Sequence, residues 1–211
     1  MVIVSKQLKV PSTGKQLSDY AEGDIVKIKE NGTPVEFYVA KHNYQTGLNG
    51  TGRTLLVRKE CYQNMRWSSN WAEWSRCEII DWLVNDYKNF LDTMIQDKIA
   101  KTTFLVVRQP NENYTTEISE PIFFLALREL GFTASNDPYA TGPVLPISNI
   151  LASIDQWTRT PVENSSASGN RAFYINSSGN DDTDRVYNEH GVRPVFTLPQ
   201  TIMVNAANVI E

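Results

Sequence analysis

Histidine and cysteine are scarce in this chain, with two of each in 211 residues. That scarcity removes several chemistries at once. His42 and His190 leave few ways to build a histidine-based catalytic set, and neither lies in a Gly-x-Ser-x-Gly or His-Glu-x-x-His context. Cys61 and Cys77 are too few for a disulfide framework, and they read as free, largely buried thiols. They would pair only if the fold brought their Cα atoms within about 7 Å. No apolar run approaches the roughly 20 residues that a membrane-spanning helix needs, so membrane insertion is not expected. The opening Met1-Val2-Ile3-Val4-Ser5-Lys6 lacks the basic, apolar and small-residue order of a secretory signal. Lysine and arginine form no cluster, and the net charge is −4. Nucleic-acid binding depends on clustered cations that displace counterions, so it is not expected either. Carboxylates are plentiful, but no local motif pairs them for glycoside hydrolysis. The expectation is a non-enzymatic protein.

What is present is an ordinary globular composition, 41% hydrophobic and 21% charged, with 10 prolines and 11 glycines spread along the chain. This fits a single domain over residues 23–211, preceded by an arm over residues 1–22 with short extended pieces. Strands are expected over 24–29 and 35–40, where apolar and polar residues alternate around Asn31-Gly32, a pair that tolerates positive φ in a tight hairpin. Residues 41–52 read as an exposed loop before a buried strand at Thr54-Leu55-Leu56-Val57. Ser75 and Glu78 have capping-box spacing ahead of a helix that places Ile79, Trp82, Leu83 and Tyr87 on one face. Asp92 reads as the N-cap of a second short helix. Further core is expected at 104–107 and 122–125, and a helical turn ended by Gly131. Short strands follow over 171–176, 185–187 and 192–198, with one more near 201–204. Trp67, Trp71 and Trp74, spaced by four and three, fit one face of a helical turn in the core; the competing reading is a stacking platform for a sugar ring.

The richest stretch runs from Trp157 to Leu198. It opens with Trp157-Thr158-Arg159-Thr160-Pro161 and closes with Gly191-Val192-Arg193-Pro194-Val195-Phe196. Each bracket sets an arginine near a φ-restricted proline among large apolar residues. Arg159 and Arg193, with Trp157 and Trp82, therefore read as structural core, the arginines reaching an internal carboxylate or several carbonyls because an unpaired buried cation is costly. Between the brackets lies polar, turn-prone sequence that displays side chains rather than burying them. Its candidate ligand-binding residues are Asn164, Asn170, Tyr174, Asn176, Asn180, Asp181, Asp182, Arg185, Tyr187 and Asn188. Asparagine supplies both donor and acceptor, and tyrosine a rigid amphipathic face. The same residues are also compatible with plain soluble turns. Asp181, Asp182 and Asp184 offer oxygens for Ca²⁺, but the spacing matches no EF-hand, so a solvated acidic turn is the main expectation and no cofactor is required.

The brackets, taken with Gly23-Asp24-Ile25-Val26-Lys27, Asn31-Gly32, Leu55-Leu56-Val57-Arg58-Lys59 and Glu129-Leu130-Gly131-Phe132 in that order, resemble a domain family of unknown function common in Firmicutes and their bacteriophages. That family is similar to the C-type-lectin-like and sulfatase-modifying-factor folds. The resemblance implies an α+β, C-type-lectin-like domain with short antiparallel strands, two short helices after an N-terminal hairpin, and long loops. The sulfatase-modifying oxidases carry a catalytic cysteine pair late in their domain, whereas no cysteine follows Cys77 here. The resemblance further implies a bacteriophage virion protein, made in the host cytoplasm and located in the virion. Its expected partners are other virion proteins, copies of itself as a homo-oligomer, and a host cell-surface glycan or protein. It would act as a host-attachment module through the 163–189 loops, or alternatively as a capsid-decoration or tail-assembly protein held by its N-terminal arm and apolar edges.

Overall fold

Asn31 and Gly32 take φ of 49° and 81°, which closes the expected hairpin between β2 (Ile25–Glu30) and β3 (Thr33–His42). This is visible in a computed structural model that describes residues 14–107, 115–132, 142–162 and 170–211. β3 pairs antiparallel with β4 (Arg53–Arg58), and β4 with β12 (Val195–Pro199), completing a four-stranded antiparallel sheet in the order β12-β4-β3-β2. Val26 and Ile28 alternate inward as the period of two requires, and Phe37 packs on Phe196 at 5.4 Å between ring centroids.

Smaller antiparallel sheets surround this one. β1 (Lys15–Gln16) pairs with β13 (Met203–Val204), β5 (Asn64–Arg66) with β11 (Glu189–Gly191), and β6 (Thr102–Val107) with β7 (Thr115–Glu120). β8 (Gln156–Pro161), β9 (Arg171–Ile175) and β10 (Asp181–Arg185) form a three-stranded sheet. The buried segment around Phe123 joins the two larger sheets: it exchanges backbone hydrogen bonds with Val195 at 2.9 and 3.0 Å, and Leu125 O accepts from Arg159 N at 2.9 Å. Helices are few and short. Glu78–Asp81, Trp82–Tyr87 and Lys88–Phe90 run on as one helical segment, π-wound in its middle, with Ile79, Leu83 and Tyr87 on the buried side. The chain is thus a mixed α+β protein, mostly small antiparallel sheets with few helices.

Two Arg–Glu–Tyr triads lie inside. Arg159 Nη1 donates to Glu129 Oε2 at 2.6 Å and to Phe124 O at 2.7 Å, with both side chains of the ion pair fully buried. The Tyr44 hydroxyl donates to the other Glu129 oxygen, and Ala126 N to Oε2 at 2.8 Å. The Arg159 guanidinium also lies 4.7 Å from the centroid of the Phe104 ring. In the second triad Arg58 holds Glu30 bidentately at 2.9 and 3.1 Å, and Tyr87 donates to the same carboxylate at 2.5 Å. Arg193 is satisfied without a carboxylate: it donates to Arg58 O, Leu151 O and Lys59 O, each at 2.6 Å. Burial pulls its pKa down to about 10, so the side chain remains cationic at neutral pH.

Several local expectations need correction. Ser75 does not cap the helix: Cys77 is its N-cap, and the Ser75 hydroxyl donates to Glu73 instead. Residues 41–52 are not simply an exposed loop, because Tyr44 is buried where it meets Glu129 and Thr46–Asn49 form a helical turn. The three tryptophans do not share a helical face. Trp67 and Trp74 are buried edge-to-face at 5.7 Å, and Trp71 between them is exposed. Trp82, expected in the core, is partly buried and packs on Tyr62 at 5.3 Å. Residues 1–13 of the expected arm lie outside the described residues; beyond them β1 pairs with β13 of the same chain and Leu17 is wholly buried.

Removing one partner of a buried ion pair strands the other, whereas replacing both with apolar groups does not. Arg159→Ala is therefore expected to lower unfolding free energy by about 3–5 kcal/mol in urea titration. The double variant Arg159→Met with Glu129→Leu should recover most of that loss; if it is as unstable as the single variant, the ion pair is not the source of the effect.

Candidate functional site

The polar stretch between the two brackets folds as a hairpin, β9–β10, whose turn is built by Asn176. Asn176 Oδ1 accepts from Ser178 N at 2.9 Å and Asn180 N at 3.2 Å, and Gly179 takes φ of 77°. The acidic run Asp181–Asp184, expected as a solvated turn, is the strand β10, which pairs in full register with β9. The strand expected at 185–187 is correspondingly displaced, with only Arg185 inside β10. Along a strand successive side chains alternate between faces, so consecutive carboxylates diverge. Among the described residues no group of three or more His, Cys, Asp or Glu is placed to hold a metal ion, and Asp181, Asp182 and Asp184 form no calcium cage.

Sequence reasoning missed the residue that anchors this hairpin. His190 Nδ1 lies 2.9 Å from Asp155 Oδ1, and Nε2 lies 3.0 Å from Asp184 Oδ2. Its ring stacks on Tyr174 at 3.8 Å between centroids and meets Trp157 edge-on at 4.6 Å. Trp157 is in turn fixed by its indole N–H, which donates to Met65 O at 2.9 Å. One imidazole thus ties β8, β9, β10 and β11 together. Asp155 precedes His190 by 35 residues, and no local signal could have joined them. Burial disfavours ionisation of Asp184, but hydrogen bonds from Asn188, His190 and Arg185 N outweigh it and hold the carboxyl below the usual range. Burial, with the carboxylates of Asp182, Asp184 and Asp155 nearby, pushes the Tyr174 hydroxyl above the ordinary tyrosine range.

The candidate residues divide by what they do. Asn164 lies outside the described residues. Asn170 accepts Val186 N at 2.8 Å through its backbone carbonyl. Tyr174 packs on His190, and Asn176 shapes the turn. Asn188 Nδ2 donates to both oxygens of Asp184, at 2.9 and 3.0 Å. Asn180, Asp181 and Asp182 are exposed. Arg185 and Tyr187 are exposed as a pair: Arg185 Nη1 donates to the Tyr187 hydroxyl at 2.8 Å, and its guanidinium lies 5.7 Å from that ring centroid. Beside the hairpin turn lies a cleft of about 470 Å³ whose lining among the described residues, including Ser177, Ser178, Asn149, Ser153 and Phe132, carries no charged side chain.

Residues 51–200 match the family described as a domain of unknown function, DUF6273, and the chain belongs to that family. No curated protein and no solved structure matches it.

Asp184 makes a pH-dependent contribution to this cluster. A carboxyl held low in the folded state adds stability that is fully present above the unfolded-state value and is lost as pH falls through the folded one. The hairpin contribution should therefore persist down to about pH 4 and decline below it. Asp184→Asn should lower Tm at neutral pH and flatten the acid limb of a Tm-versus-pH curve. An acid limb identical to wild type would show that Asp184 does not contribute.

Proposed function

We propose that this chain is a non-enzymatic binding module, a bacteriophage virion protein with a C-type-lectin-like domain that attaches to a host cell-surface glycan or protein. The virion setting and the lectin-like class rest on the sequence resemblance. The recognition surface rests on one observation, the exposed Arg185–Tyr187 pair held in fixed geometry at the end of a hairpin that His190 clamps to the core. Arginine and tyrosine dominate binding energy when presented rigidly, since little conformational entropy is then lost on association. The cleft beside the hairpin turn adds hydrogen-bonding groups at the opposite end of the same hairpin.

The alternative, a decoration or tail-assembly protein held by its N-terminal arm, draws less support from residues 14–22 of that arm. There the backbone groups of Lys15 and Gln16 are engaged by Met203 and Val204 of the same chain. Labelled protein applied to intact Gram-positive cells and counted by flow cytometry tests the attachment reading. Arg185→Ala and Tyr187→Ala should each reduce cell binding about tenfold, with Tm within about 2 °C of wild type. Binding unaffected by both substitutions would remove the hairpin from recognition.

A further inference from the structure

Trp71 has 46% of its surface exposed, while Trp67, Ala72 and Trp74 on either side are buried. We infer that Trp71 is the stacking platform of a carbohydrate subsite, contiguous with the Arg185–Tyr187 edge, that takes one ring of a neutral glycan. This inference rests on the recognition role proposed for that edge and extends it to a loop more than 100 residues away in sequence.

The contiguity is a matter of backbone. Ser68 N donates to Val186 O at 3.0 Å, one residue before Tyr187. Ser68 Oγ then accepts from Asn70 N at 3.4 Å and Trp71 N at 3.3 Å, so the Trp71 backbone is held one side chain away from the end of the hairpin. Tyr187 has 45% of its surface exposed, which gives the two segments an exposed aromatic each. The Trp71 loop is pinned from its other side as well: Ser69 N donates to Glu78 Oε1 at 3.3 Å, and Arg66 closes on Glu78 at 2.9 Å.

The indole is set in place. Arg76 lies over it with the guanidinium 5.3 Å from the ring centroid. Arg76 is fixed by Glu73 at 3.2 Å, and Glu73 by the Ser75 hydroxyl at 2.9 Å. Arg185 treats Tyr187 in the same way, so each exposed aromatic carries its own cation–π partner. An aromatic ring held at fixed orientation needs little ordering when a flat apolar surface settles on it.

The surroundings select the ligand class. Close to Trp71 in sequence, Asn70, Ser75 and Arg76 are exposed and polar, and Arg76 stacks on the ring itself. A docked protein would call for a dehydrated apolar centre around the tryptophan. An anionic polymer would call for several unpaired cations, whereas Arg76 and Arg66 already hold Glu73 and Glu78 and Arg185 is turned onto the Tyr187 hydroxyl. A sugar ring needs an exposed aromatic face for its C–H surface and polar groups for its hydroxyls, and Trp71 with the exposed neighbour Asn70 offers both.

An array of defined neutral oligosaccharides, with acidic peptides and polyphosphate as further features, tests this on the full chain. Wild type should retain at least one neutral oligosaccharide. Trp71→Ala should weaken that binding about tenfold, and Trp71→Phe should stay within about threefold of wild type, with the Tm of both near that of wild type. Retention of no neutral oligosaccharide, equal binding by Trp71→Ala, or preference for the peptide or polyphosphate features would overturn the inference. If Arg185→Ala and Tyr187→Ala abolish cell attachment while Trp71→Ala leaves it intact, the subsite is wrong and the hairpin reading stands. If none of the three changes cell attachment, the hairpin reading itself has failed.

Discussion

A guanidinium with no access to water must be answered on the spot, and the fold is organised around that demand at Arg159. Its partners come from three separate places: Tyr44 after β3, the turn that carries Glu129, and the carbonyl of Phe124. Glu129 needs matching in turn, and Tyr44 and the amide of Ala126 supply it. Pairing one buried charge through its two terminal nitrogens, while Nε stays buried without a hydrogen-bond partner, therefore fixes the relative positions of three chain segments. A looser arrangement would leave a desolvated charge unpaired, which costs far more than a typical surface contact contributes. Arg58, Glu30 and Tyr87 repeat the solution across the main sheet, at the other end of β4 and β2. Arg193 solves it differently, drawing on the backbone carbonyls of Arg58, Lys59 and Leu151. Its shared use of residue 58 connects it to the second triad, so Arg193, Arg58, Glu30 and Tyr87 form one polar group at that end of the sheet.

The Arg159 network explains why the β9–β10 hairpin can be polar and still ordered. β8 supplies both Arg159, which faces the interior triad, and Trp157, whose ring meets His190. The imidazole converts that fixed edge into a clamp on the hairpin by engaging Asp155 and Asp184 with its two nitrogens. Order thus passes outward in steps, from the buried ion pair to a core strand, to a histidine, to a surface hairpin. Each step uses polar contacts of good geometry in place of apolar area that a short Asn- and Asp-rich hairpin does not possess.

What was legible in the sequence was local. Asn31-Gly32 announces a hairpin because the turn conformation belongs to those two residues alone. The burial of Arg159 and Arg193 follows from their apolar neighbours, but their partners do not: Tyr44 and Glu129 are 85 residues apart. The tryptophan spacing misled because helical periodicity was assumed where the backbone forms a loop and a short 3-10 turn, which sends Trp71 outward. The run Asp181 to Asp184 has the composition of a turn and becomes a strand because β9 supplies a complete pairing partner. Local preference yields there to tertiary context.

The distribution of ionisable groups bears on function as well as stability. Burial pushes the Cys61 thiol up to about 11 and moves Cys77 still further in the same direction, which disfavours the thiolate that nucleophilic chemistry requires. Tyr44 and Tyr87 are likewise driven above the ordinary phenol range, first by burial and then by the glutamates they contact. These hydroxyls stay protonated and serve as donors to Glu129 and Glu30. The interior chemistry is thereby committed to holding the frame, with carboxylate, phenol and guanidinium each engaged by the others. At the surface, among the described residues, Trp71 and Tyr187 are exposed aromatics that each carry a stacked arginine, Arg76 and Arg185. On the proposed reading these pairs serve reversible contact, Tyr187 carried by the hairpin that His190 clamps and Trp71 by the loop that Ser68 and Glu78 hold.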